Sequence, residues 1–300
     1  MTHTWMIHRG ALGDSILLWP LLRALSRDSR VTLAAAPSHA SLAARFLGVA
    51  PTSCDSRPLT LLHAPEAPDP EAPILGVDRV LSFVARAGHD AQWSRNAARL
   101  FPGAAIETIN HPLDRVRALE LARAHTDPIP FAPAHHNPDA PIVLHVGAGS
   151  PDKRWPLDRF IALAAALPCC SLLAGEVEHD RFTPDERRRF LDAHGRFLDS
   201  LDALADALLA ARLVVACDSG PAHLAAALGT PTLTLFGPTD PSRWAPLGEN
   251  ARVLATPRPA RIDTLSLDAV RTAAEQALAI SSPARCPASQ PRGTSDEACS

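Results

Sequence analysis

Short apolar or β-branched runs alternate with longer segments of helical period, and the alternation runs through the chain twice. In the first half, Trp5–His8, Val31–Ala35, Arg79–Val84 and Ile106–Ile109 read as strands, with helices over Asp14–Ser26, Ser38–Leu47, Ala91–Leu100 and Leu113–Ala124. In the second half, strands at Ile142–Val146, Ser171–Ala174, Leu213–Ala216, Thr232–Phe236 and Arg252–Ala255 alternate with helices at Leu157–Leu167, Pro184–Ala193, Leu201–Ala210, Pro221–Leu228 and Ser266–Ala279. This is the pattern of βαβ units, which pair their strands in parallel sheets covered by helices. Between the two series Pro128, Pro130, Pro133, Pro138 and Pro141 cannot continue a helix and mark a stiff linker. The expected architecture is α/β, with two Rossmann-like domains over residues 1–134 and 140–280 and a polar, disordered tail over 281–300. The proline-rich stretch Pro51–Pro73 has weak periodicity and is assigned no element.

Length supports the division, because 300 residues exceed what one hydrophobic core usually organises. A net charge of −3 supplies no field suited to a polyanion, so nucleic acid is not an expected partner. The N-terminus has no basic segment followed by an apolar core, and no apolar run approaches the roughly 18 residues needed to span a bilayer. A cytoplasmic location is expected, with room for peripheral contact at the inner face of the cytoplasmic membrane. Cys54, Cys169, Cys170, Cys217, Cys286 and Cys299 form no C-x-x-C pair and read as reduced thiols.

In sheets of this kind ligands bind beyond the carboxyl ends of the strands. Arg9-Gly10-Ala11-Leu12-Gly13-Asp14 leaves the first strand and opens the first helix, with glycines at positions 10 and 13 that permit a tight turn. The G-x-G-x-x-G spacing of a dinucleotide site is absent, and Asp14 would compete with a phosphate for the same amides, which argues against NAD. Asp14 suits either a helix cap or a general base in the interdomain cleft.

The second half carries a turn of another kind. Asp218-Ser219-Gly220-Pro221-Ala222-His223 follows a wholly apolar strand, with Gly220 at the cap and Pro221 at the first helical position, which predicts free amides at Ala222 and His223 for a diphosphate. Thr239 sits in a neighbouring turn, Phe236-Gly237-Pro238-Thr239-Asp240-Pro241. Gly149 and Ser150 let a ligand approach the backbone, and Lys153 or Arg154 could neutralise a departing phosphate, although a solvated basic pair fits equally. Trp155-Pro156 reads as a packing wedge, His145 as a core histidine, and Glu176 or Glu178 as a carboxylate for ribose hydroxyls or for the surface.

These segments, in this order, resemble glycosyltransferase family 9, the ADP-heptose:lipopolysaccharide heptosyltransferases and their relatives. The resemblance is carried by residues 5–30 and 142–247, including Leu18-Trp19-Pro20-Leu21-Leu22-Arg23-Ala24-Leu25 and Lys153-Arg154-Trp155-Pro156. It implies a GT-B enzyme whose first domain binds a glycan or glycolipid acceptor and whose second holds a nucleotide sugar, ADP-heptose being favoured. Asp14 matches the family's base, Lys153 its lysine near the donor, Glu178 its ribose-binding glutamate, and Asp218–His223 its diphosphate segment. The implied reaction is inverting transfer to a lipopolysaccharide core or another cell-surface glycan, with the sugar nucleotide as substrate and no cofactor or metal. Arg45, Arg57, Arg86 and Arg95 are the candidates for gripping an anionic acceptor. The alternatives are a non-catalytic sugar-nucleotide or glycan-binding member of the fold and a transferase that uses another nucleotide sugar.

Overall fold

The computed structural model describes residues 1–65, 72–84, 91–109, 115–123, 137, 139–257 and 260–281. Arg86, four of the linker prolines (Pro128, Pro130, Pro133 and Pro138) and the tail from 282 onward lie outside the described residues.

The first half contains β1 (Thr2–Ile7), α1 (Leu12–Leu17), α2 (Trp19–Leu25), β2 (Ser29–Ala35), α3 (Pro37–Leu47), β3 (Ala50–Ser53) and α4 (Arg57–Thr60), followed by β4 (Arg79–Ser82), α5 (Ala91–Leu100), β5 (Ala105–Thr108) and α6 (Arg115–Arg123). Its five strands are parallel and lie in the order β3-β2-β1-β4-β5. The second half contains β6 (Ile142–His145), α7 (Leu157–Ala166), β7 (Cys170–Ala174), α8 (Glu176–Arg181), α9 (Pro184–Asp192), β8 (Arg196–Phe197) and α10 (Leu201–Leu209). It continues with β9 (Leu213–Cys217), α11 (Gly220–Ala227), β10 (Thr232–Phe236), α12 (Pro241–Trp244), β11 (Ala251–Ala255) and α13 (Leu267–Ser281). The six strands of this sheet are also parallel, in the order β11-β10-β9-β6-β7-β8. In both sheets the first strand is central, and the strand order reverses between it and the fourth. That reversal opens a crevice at the strand ends, where a doubly wound fold binds its ligand.

Three elements differ from the sequence reading for identifiable reasons. The helix expected over Asp14–Ser26 is broken at Leu18, because Pro20 lacks an N–H and its ring clashes with the preceding turn. β3 was not expected, since it contains Pro51; it pairs with β2 alone, at a sheet edge that tolerates proline. The Glu176–Arg181 stretch, to which the sequence reading assigns no element, is a six-residue helix in which Glu178 reaches back to the Gly175 N–H.

The central strands are apolar on both faces, and each face feeds a different layer. Val214 and Ala216 of β9 join one cluster of buried side chains, whereas Leu213, Val215 and Cys217 join another with Trp155, Phe160 and Val270. The first cluster does not stop at the second domain. Met6, Leu17, Leu21 and Leu33 of the first half belong to it together with Leu204, Leu208, Ala222 and Leu224 of the second. Where α1 packs on α11 this layer crosses the boundary, and each large aliphatic side chain buried there contributes ~1.5–3 kcal/mol to holding the halves together. No helix among the described residues is long and apolar enough to cross a membrane.

Candidate active site between the two domains

The loop after β1 is shaped by a histidine and a glycine. His8 is fully buried, and its Nδ1 accepts the N–H of Gly10 at 3.3 Å. A Cβ at Gly10 would lie 2.6 Å from the His8 ring and 2.9 Å from Cβ of Asp14, so only glycine fits there. Asp14 is the third residue of α1, and its carboxylate accepts the Ala11 N–H at 3.3 Å. The cap and the base are therefore compatible roles for one side chain, because one oxygen holds the helix start while the half-buried carboxylate keeps further lone pairs. Arg9 ties the loop to β3 by donating to the Cys54 carbonyl at 2.8 Å and pairing with Asp55 at 3.1 Å.

The loop after β6 repeats the device. Nδ1 of His145 accepts the Gly147 N–H at 3.3 Å, and a Cβ at Gly147 would fall 2.3 Å from the Glu178 carboxylate. Glu178 is only 6% exposed and accepts the Gly175 N–H at 3.2 Å. Burial pulls the His145 pKa below the usual histidine value, and the nearby Glu178 charge opposes that only in part. The imidazole is thus neutral at neutral pH, with Nδ1 as acceptor. His145 is buried, as a core histidine would be, yet it also lines the cavity described below.

The turn after β9 corrects one expectation. Ser219 caps α11, so Gly220 and Pro221 occupy the first two helical positions, and the Ala222 and His223 N–H groups both donate to the Ser219 carbonyl, at 3.1 and 3.3 Å. Starting the helix one residue earlier consumes the amides expected to be free and leaves the Gly220 N–H as the first helical donor. Asp218 lies behind the turn, 6% exposed, and accepts from Lys153 Nζ at 2.8 Å and from the Thr239 hydroxyl at 2.7 Å. The Lys153 ammonium retains two further donors for a ligand. Arg154 is directed elsewhere: it pairs with Glu186 at 2.5 Å, stacks 5.4 Å from the Phe182 ring centre, and lines a separate 360 Å³ hollow with Arg189 and Arg261. Trp155 is fully buried as a packing wedge, its Nε1 donating to the Leu265 carbonyl at 2.9 Å.

Between the domains lies a cavity of about 650 Å³. Of the residues singled out from sequence, Gly13, Gly149, Glu176, Glu178, Ser219, Gly220 and Pro221 line it. Gly10, Asp14, Ser150, Lys153, Arg154, Asp218, Ala222, His223 and Thr239 do not, although Asp14 directly follows the lining segment Ala11–Gly13. The two turns touch across the boundary. A Cβ on Gly220 would lie 2.8 Å from Leu12 Cβ, and one on Gly13 would lie 3.3 Å from the His223 ring. Sequence reasoning did not single out Ser38, His39, Arg181 or the Leu198–Asp202 segment, all of which line the cavity. Arg181 also donates to the Gly149 carbonyl at 3.4 Å. Its only local signal is its place three residues after Glu178, on the same helical face. Arg45 is occupied by ion pairs to Asp202, at 3.2 Å, and to Asp206 across the domain boundary. Arg57 and Arg95 do not line the cavity.

Two parallel-sheet domains that meet where the loop after β1 packs on the turn after β9, with a substrate-sized cavity between them, define the GT-B architecture of nucleotide-sugar enzymes. Glycosyltransferase family 9 (heptosyltransferase) matches residues 81–269, and the chain belongs to that family. Lipopolysaccharide heptosyltransferase 1 of Escherichia coli strain K12 is 32% identical over 115 residues, which are 36% of this chain and 35% of that protein. The alignment thus spans about a third of that relative's length. The fold extends further. The structure of E. coli heptosyltransferase WaaC with ADP superposes with a TM-score of 0.64 at 19% identity, covering 92% of this chain and 100% of that one. A glycosyltransferase family 9 structure from Veillonella parvula gives 0.68 at 16% identity, covering 93% and 98%.

Proposed function

We propose that this chain is an inverting, metal-independent glycosyltransferase that takes a sugar from an ADP-sugar, with ADP-heptose favoured, and passes it to a lipopolysaccharide-core or other cell-surface glycan. The observation that carries this reading is the contact of Leu12 and Gly13 with Gly220 and His223, which brings the Asp14 loop and the Ser219–Pro221 turn to one cavity. Family membership and the ADP-bound structural neighbour support the nucleotide.

In this reading Asp14 takes the proton of an acceptor hydroxyl as the hydroxyl oxygen attacks the anomeric carbon. The bond to the diphosphate breaks on the opposite face, and configuration inverts. The Gly220 N–H and the Lys153 ammonium receive the charge that develops on the leaving diphosphate, so stabilisation grows along the reaction coordinate. Asp218 and Thr239 hold Lys153 in place. Glu178 accepts from ribose hydroxyls, with His145 packed beside it. The enzyme works at the cytoplasmic side of the membrane that carries its acceptor.

The test begins with a thermal-shift panel of ADP, GDP, UDP and CMP. ADP is expected to raise the melting temperature as a ligand that binds only the folded state, and a shift with UDP or GDP alone overturns the base assignment. Transfer from ADP-heptose to deep-core lipopolysaccharide is then measured with and without EDTA. Unchanged turnover is expected, and loss on chelation overturns the metal-independent route.

A further inference from the structure

His39 stands on α3, in the first domain, and lines the cavity that the second domain closes with Ser219 and Gly220. Its Nδ1 is buried and has no hydrogen-bond partner among the described residues, whereas Nε2 is not among the buried unpartnered atoms. Burial lowers the pKa of the ring, so it is uncharged at neutral pH and carries a single proton. The position of that proton follows from the cost of the alternatives. A buried N–H without an acceptor is the rarer and more costly orphan, while a buried lone pair without a donor is better tolerated. The proton therefore sits on Nε2, and the ring presents one neutral donor toward the cavity.

We infer that His39 is a sugar-recognition residue, its Nε2–H donating to a hydroxyl or ring oxygen of the sugar carried on the nucleotide diphosphate. A single neutral donor matches the hydroxyl and ring oxygens of an uncharged sugar. Position agrees, since His39 lines from the first domain the same cavity that Ser219 and Gly220 line from the second. This inference rests on the reading of the chain as an ADP-sugar enzyme.

The experiment compares ADP with ADP-heptose by calorimetric titration of the full chain as wild type, His39→Gln and His39→Leu. Glutamine places an amide N–H where Nε2–H lies, and leucine fills the space without a donor. The wild type is expected to bind ADP-heptose more tightly than ADP, His39→Leu to lose about tenfold of that advantage, as for one hydrogen bond to a site that then stays unpaired, and His39→Gln to keep most of it. ADP affinity and melting temperature are expected to be equal in all three. An undiminished advantage in His39→Leu overturns the inference, as does a glutamine variant that behaves like leucine. Loss of ADP affinity in both variants would assign His39 a packing role instead. A wild type that binds ADP with no preference for the heptosyl form overturns the inference and leaves the nucleotide reading standing, whereas failure to bind ADP removes both.

Discussion

At the end of β1 and again at the end of β6 the chain makes the same local structure, a histidine whose Nδ1 accepts the N–H of the glycine two residues on, at 3.3 Å in each case. Each glycine is pressed against a carboxylate residue, and each carboxylate is the third residue of a short helix whose start it caps. The two loops differ in where that carboxylate comes from and how much water reaches it. Asp14 belongs to the helix that follows its own loop and is half-buried at the cleft, whereas Glu178 arrives from the helix after the next strand and is 6% exposed. A proton acceptor must exchange its proton with solvent or substrate between turnovers, which suits the first setting. A fixed hydrogen-bond acceptor gains from exclusion of water, which suits the second.

Substitutions at the two loops should separate these roles. The largest expected effect is that of Asp14→Asn, which removes the base but keeps the shape: turnover should fall about 10²–10⁴-fold with ADP affinity unchanged, as read by single-turnover release of ADP. If Glu178→Gln gave that result and Asp14→Asn did not, the roles would be exchanged. Lys153→Met should lower turnover about a hundredfold, the usual cost of one lost donor to developing charge. It should also lower the melting temperature, because Asp218 keeps only Thr239 as a side-chain partner among the described residues. A pair of glycine variants then tests the loops symmetrically. Gly147→Ala displaces the Glu178 carboxylate and should weaken ADP binding about tenfold, the order of one hydrogen bond. Gly10→Ala crowds His8 and Asp14 and should reduce turnover while ADP affinity is kept. The smallest effect is expected for Arg45→Ala, whose ion pairs to Asp202 and Asp206 are solvent-exposed. It should leave melting temperature and ADP affinity within error, and a large loss of transfer alone would return Arg45 to the acceptor site.

The alternation of strand and helix was legible from sequence because buried parallel strands are continuous apolar runs, and β9 and β10 are buried at every residue. The GT-B arrangement, the family and the three strand-end loops followed from motifs at those positions. What escaped was set by contacts between distant segments. The partnership of Lys153 with Asp218 joins residues 65 apart. The redirection of Arg154 to Glu186 depends on where α9 lands, and the roles of His39 and Leu198–Asp202 depend on which loops face each other once both domains are packed. The start of α11 was misplaced by a single residue, enough to reverse which amides are available.

The apolar layer shared by the two domains bears on how ligands come and go. Two-domain proteins joined by small, polar interfaces gape and close freely, but here a wide opening would part α1 from α11 and expose apolar side chains packed between them to water. Substrate exchange by loops yielding at the mouth of the cavity would avoid that exposure, whereas halves swinging apart would not. The same coupling means that the chain should melt in one calorimetric transition, each half serving as part of the other's interior.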